Sequence, residues 1–172
     1  YIPVLFPNNL DTEIVPKINY ENFFEKIKPV FNCQNTIYIG QNIKYDILIL
    51  KRYGIEISAN LFDTMIAAHF LDSSLQSYSL DSLARKFLDY KMISYKDVTK
   101  VDKKEIRFDE VPINIATTYA CEDSDIALRL YKIFNNMLID AKCLDDFEKN
   151  EMTFVSVLAD LEHNGAYIDI KK

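Results

Sequence analysis

Between residues 36 and 71 the chain twice runs a short apolar strand almost directly into a helix. Residues 36–39 (Thr-Ile-Tyr-Ile) read as a strand that ends on Gly40. Residues 42–53 then follow helical spacing, and Gly54 closes that helix. Residues 60–62 form a second short strand, and Asp63 is placed to cap a helix that runs to Leu71. Short strands alternating with helices restrict the fold to an α/β sandwich, because each element must bury its apolar face against the other kind.

The rest of the chain extends this pattern. Residues 1–6 (YIPVLF) read as a strand, and the Pro/Asn-rich stretch after them as loop. Residues 20–31 read as a helix with Asn19 as its N-cap, weakened near its end by Pro29. Ser79 or Asp81 caps a further helix that reaches about Leu88. Residues 89–108 read as an irregular, charged loop. Pro112 is placed as a first helical residue, and helical pattern continues, with room for a break, to about Ala141. Residues 144–164 form a last helix ended by Gly165, and 166–170 begin a strand. Helices dominate after the first third, so the remaining strands of the sheet are expected upstream of Tyr1.

Composition limits the function classes. Three glycines and five prolines in 172 residues leave no flexible linker. A net charge of −6 excludes a bulk basic face for gripping duplex DNA. Any grip on nucleic acid must be local, metal-mediated or supplied by another domain. Cys33, Cys121 and Cys143 are widely spaced, and His69 and His163 are the two histidines. That pattern excludes a disulfide framework and a Cys/His zinc site, and fits reduced thiols in a cytosolic protein. No apolar run reaches membrane-spanning length and no signal peptide is visible, so a cytoplasmic location and no membrane partner are expected. The chain starts at Tyr1 rather than Met and reads as a piece of a longer protein.

Chemistry is concentrated at two places. Asp46 stands beside the apolar run Ile47-Leu48-Ile49-Leu50, where a carboxylate is costly without a partner. Asn42 precedes Asp46 by one helical turn, and Tyr119 precedes Asp123 by the same spacing in YACEDSD. Each pair alone reads as a solvated helix face, and Glu122 and Asp125 read as helical surface acids. Taken together, two helix faces converging over a sheet would gather carboxylates that need a cation between them. Hard oxygen ligands select Mg²⁺ or Mn²⁺, and a phenol one turn before an acid can orient an attacking water. These are the parts of a two-metal phosphodiester hydrolase.

The segments GQNIKYD, LFDTMIAAHFLDSS, YSLDSLARKFL and YACEDSDIALRLY resemble the 3′–5′ exonuclease domain of family A DNA polymerases, the bacterial DNA polymerase I type. EMTFVSVLADLEHNGAYID resembles the segment that leads on into the polymerase domain. The resemblance implies a ribonuclease H-like exonuclease fold of the DEDD superfamily, tyrosine subclass, with a mixed sheet flanked by helices and its first two strands missing here. It divides the chain into residues 1–142, exonuclease, and 143–172, the start of the polymerase domain. It implies a proofreading activity in DNA replication and repair. The terminal phosphodiester of single-stranded or frayed 3′ DNA ends would be hydrolysed with two Mg²⁺ or Mn²⁺ ions. Asp46 and Asp123 match metal-binding acids and Tyr119 the water-orienting tyrosine. Gln41, Asn42, Tyr45 and Tyr95 match positions that bind the single strand. The partners implied are the 3′ end of DNA and the rest of the polymerase chain.

Departures from the pattern matter. The family's first motif, Asp-x-Glu on a central strand, supplies two further acids. Asp11-Thr12-Glu13 has that spelling but follows the strand at 1–6, in loop, and is read as a pair of loop acids. Ser77 stands where relatives often carry an arginine. The chain alone is therefore expected to be inactive. Two other readings are an exonuclease-fold scaffold that has lost its acids and a stand-alone enzyme of the RNase D type.

Overall fold

Strands β1 (Ile37–Gly40) and β2 (Asn60–Asp63) lie parallel, with Ile37 opposite Asn60 and Gly40 opposite Asp63. Parallel neighbours need a crossover, and α2 (Ile43–Arg52) provides it. The computed structural model describes residues 20–101 and 104–168. The strand expected at 1–6, Asn19, and the acids Asp11 and Glu13 lie outside the described residues.

Helix α1 occupies Tyr20–Phe31, the span expected from its spacing. Its C-terminal Phe31 carbonyl accepts from the backbone N–H groups of Ser58 and Ala59 at 3.0 and 3.1 Å, which seats it beside the start of β2. Phe24 stacks on Tyr53 at 4.4 Å. After α2, Gly54 takes the left-handed conformation (φ 69°), which costs glycine little. Helix α3 (Thr64–Leu71) follows β2 without a loop, and α4 (Leu80–Leu88) is capped by Ser79, whose hydroxyl accepts from Ser82 N–H.

The described residues between 89 and 108 are more ordered than an irregular loop. Ser94 caps a short helix, α5 (Tyr95–Thr99), by accepting from Lys96 N–H. β3 (Lys100–Val101) and β4 (Lys104–Glu105) then pair antiparallel. A five-residue helix is too short to show periodicity, so only its capping serine marks it in the sequence.

Helix α6 runs unbroken through Ile113–Asp140, 28 residues. Pro112 is its N-cap rather than its first residue, and its carbonyl accepts from Ile115 and Ala116. Ile126, Leu130, Phe134 and Leu138 recur every fourth residue and are all buried, so one stripe of α6 forms the spine of the core. Phe134 meets Phe87 of α4 edge-on at 4.9 Å. The last helical region is not uniform. α7 (Leu144–Asp146) passes through a wide π turn (Phe147–Met152) into α8 (Thr153–Asn164). Phe147, Met152, Val155 and Ala159 join the same core as Ile43, Ile47 and Phe62. Lys44 and Lys51 of α2 pair with Glu162 and Asp160 of α8. Residues 165–168 are not strand, and residues 169–170 of the strand expected at 166–170 lie outside the described residues.

None of the three cysteines is in a disulfide. Among the described residues no helix is long and apolar enough to cross a membrane.

Candidate active site

The site begins where β1 ends. Gly40 leads into Gln41 and then Asn42, which adopts the left-handed conformation (φ 56°, ψ 50°) just before α2. Asparagine tolerates this conformation better than most residues. Asn42 is thus the cap position and not a residue within the helix, so it does not stand one helical turn below Asp46 as the spacing suggested. The turn is held by Asp63, fully buried at the end of the neighbouring strand. Its Oδ1 accepts from Asn42 N–H (3.1 Å), Met65 N–H (2.8 Å) and Ile66 N–H (3.3 Å), and its Oδ2 accepts from Ile43 N–H (2.7 Å). One carboxylate therefore satisfies the orphan donors of two helices, α2 and α3. Burial pulls this carboxyl upward from the usual range, and the four N–H donors pull it back. The Asp63 N–H itself donates to Met152 Sδ at 3.3 Å.

Gln41 is pinned at both ends of its amide. Its Nε2 donates to the Tyr78 carbonyl at 2.8 Å, and its Oε1 lies 2.6 Å from the Thr64 hydroxyl. That hydroxyl is also 3.0 Å from the Gly40 carbonyl and has one proton for the two.

A cleft of about 700 Å³ opens beside this turn, and Tyr38, Gln41, Asp46, Tyr95, Tyr119 and Asp123 line it. Two of the residues expected at the site are not on its wall. Asn42, with no side-chain cap bond, and Tyr45 both stand exposed at the start of α2. The cations Arg85 and Lys91 also line the cleft, with Arg85 bound to Asp81 at 3.0 Å.

The two acids carry the mark of burial without a counter-charge. Burial lifts the Asp46 carboxyl above the usual carboxylate range; the bond from its own N–H opposes this, and the charge of Asp63 adds to it. Asp123 is pushed up to about 6 by burial and by the neighbouring Glu122 charge, while the hydrogen bond from Tyr119 acts the other way. The Tyr119 phenol is raised in turn, first by burial and then by Asp123. Tyr38 is pushed up to about 12 by burial and the charge of Asp46. Carboxylates in such surroundings favour a bound cation. Carboxylate and phenol oxygens, with no thiol or imidazole on the cleft wall, suit a hard divalent ion. Asp46 and Asp123 are the two carboxylates expected from the sequence that the cleft brings together. Among the described residues no group of three or more His, Cys, Asp and Glu is gathered closely enough to hold a metal by itself.

An aromatic wall stands over the acids. Tyr95 lies nearly parallel to Phe108 (6.0 Å, 17°) and edge-on to Tyr119 (6.2 Å, 67°), and Phe108 packs on Tyr119 at 5.7 Å. The sequence pointed to Tyr95 and Tyr119 but not to Phe108. Glu122 is the larger surprise. It is no plain surface acid: its Oε1 accepts from the Tyr90 hydroxyl and its Oε2 from Ile93 N–H, both at 2.8 Å. Asp125 is the surface acid expected, paired with Arg129 at 2.7 Å.

A protein-family model described as 3′-5′ exonuclease matches residues 7–139. The DNA polymerase I of Rhizobium leguminosarum is 38% identical over 144 residues, 84% of this chain and 14% of that protein. That of Borreliella burgdorferi is 38% identical over 172 residues, 98% of this chain and 17% of that protein. That of Pseudomonas aeruginosa is 33% identical over 169 residues, 95% of this chain and 17% of that protein. The chain thus spans about a sixth of the length of these relatives. Together with the α/β fold, these matches place it: the chain belongs to the 3′-5′ exonuclease domain family of the family A DNA polymerases.

Proposed function

We propose that this chain is the proofreading part of a cytoplasmic DNA polymerase I. It would remove nucleotides from the 3′ end of single-stranded or frayed DNA. The observation that carries this reading is the meeting of Asp46 from α2 with Tyr119 and Asp123 from α6 on one cleft wall. Residues 1–142 would serve the nuclease, and 143–172 would lead into the polymerase. That boundary is one of function, since α8 shares its core with α2.

Asp46 and Asp123 would hold divalent ions together with further carboxylates. Bound there, Mg²⁺ or Mn²⁺ would supply Lewis-acid charge at the scissile phosphate. The chain's own groups do the rest. The Tyr119 hydroxyl, held by Asp123, would hold and orient the attacking water. Tyr95 and Phe108 offer ring surface to the terminal bases, a contact tolerant of sequence. Gln41, fixed by Thr64 and Tyr78, presents a rigid edge to the strand. A mispaired end frays more readily than a paired one, so part of the selectivity comes from the DNA.

In the full-length protein, Asp123→Ala is expected to abolish Mg²⁺-dependent 3′–5′ degradation of a single-stranded oligonucleotide and to leave primer extension intact. Undiminished degradation by that variant would remove the proposal.

A further inference from the structure

We infer that Glu122 is a positioning residue: its two carboxylate oxygens lock the segment before α5 onto α6 and so fix Tyr95 over the cleft that holds Asp46 and Asp123. Glu122 sits three residues after Tyr119 and one before Asp123, so the three share one side of α6. Each of its oxygens takes one donor from the same segment, the Tyr90 hydroxyl and the Ile93 N–H, both at 2.8 Å. Charge-assisted bonds of this length to two points of one segment fix its orientation as well as its distance. Two residues after the held amide comes Tyr95, the first residue of α5. Met92, between the two held points, is buried in the core and gives the segment a third anchor. Tyr95 itself is half-exposed and meets α6 through Tyr119 at 6.2 Å. Val98 and Thr99 anchor the far end of α5, and the Glu122 bonds set the end that carries Tyr95.

The kinetic part of this inference rests on the exonuclease reading; the structural part does not. Glu122→Ala and Tyr90→Phe are made in the full-length protein. Hydrogen–deuterium exchange is followed in peptides covering residues 89–95 and, as a control, 126–138. Degradation of oligo-dT is followed in Mg²⁺. Glu122→Ala is expected to speed exchange in 89–95 without changing 126–138. It should also raise KM for the 3′ end by about tenfold, the scale of a bond to a charged group, with kcat little changed. Tyr90→Phe should show the same pattern more weakly. That variant keeps the Glu122 charge, so a rise in its KM cannot come from electrostatics at Asp123. Unchanged exchange in 89–95 for Glu122→Ala, or a fall in kcat with KM intact in both variants, would overturn the inference. A wild-type protein without nuclease activity would sink the exonuclease reading, and the exchange comparison would then decide the Glu122 bonds alone.

Discussion

Asp123 pits the needs of a site against those of a fold. Its carboxyl moves from an ordinary 3.8 to about 6 in the folded chain. For an acid raised on folding, the stabilising contribution is complete below the unfolded value and lost as pH rises through the folded one. With no divalent ion bound, Asp123 therefore weakens the fold at pH 7 to 8. Asp123→Asn is expected to melt higher than wild type in EDTA at pH 8, by roughly 1 kcal/mol once solvent screening of this half-exposed group is allowed for. The difference should close toward pH 4, and Mg²⁺ should favour wild type. Calorimetry over that pH range checks it; a wild type as stable as the variant in EDTA at pH 8 would contradict the account. The acid itself was visible from its spacing to Tyr119, but Glu122 was not. Its partners lie 32 and 29 residues earlier, in a stretch with no periodic signal.

At the scale of elements, caps were the most legible feature. Asp63 and Ser79 stand where helix N-termini begin, and both cap as their residue types suggest. The second task of Asp63 was hidden, because Asn42 and Ile43 come some twenty residues before it and meet it only through the parallel pairing of β1 and β2. Asp63→Ala would leave four N–H groups, one buried and three part-buried, without their acceptor. A cost above about 3 kcal/mol is expected from urea unfolding, more than one cap is worth. A loss under about 1 kcal/mol would mean that the two helices find other acceptors. The π turn was also illegible: residues 144–164 carry helical spacing throughout, and only the burial of both Phe147 and Met152 exposes the irregularity.

At the scale of the molecule, the cleft exists because distant pieces share one core. α2 brings Asp46, α6 brings Tyr119 and Asp123, and the segment before α5 brings Tyr95. The alternation of strand and helix forecast the α/β class, and the two helix-borne acids forecast the cleft. Which neighbours would reach its wall, as Gln41 does and Asn42 does not, depended on backbone geometry that no spacing rule encodes. Among the described residues, Arg85 and Lys91 are the cations on the cleft wall. The wide turn at Phe147–Met152 adds one more consequence. Phe147 and Met152 are five residues apart, which on an ordinary helix places them about 140° from each other. The wide turn absorbs one extra residue and keeps both inside. Deleting the exposed Asn150 would leave the two four apart, already in phase on an ordinary helix. Helix interiors seldom accept a shortened chain, yet here the loss of Asn150 should leave the melting temperature nearly unchanged, whereas deleting one residue from the middle of α6 should abolish folding. The turn is spare length, stored between α7 and α8.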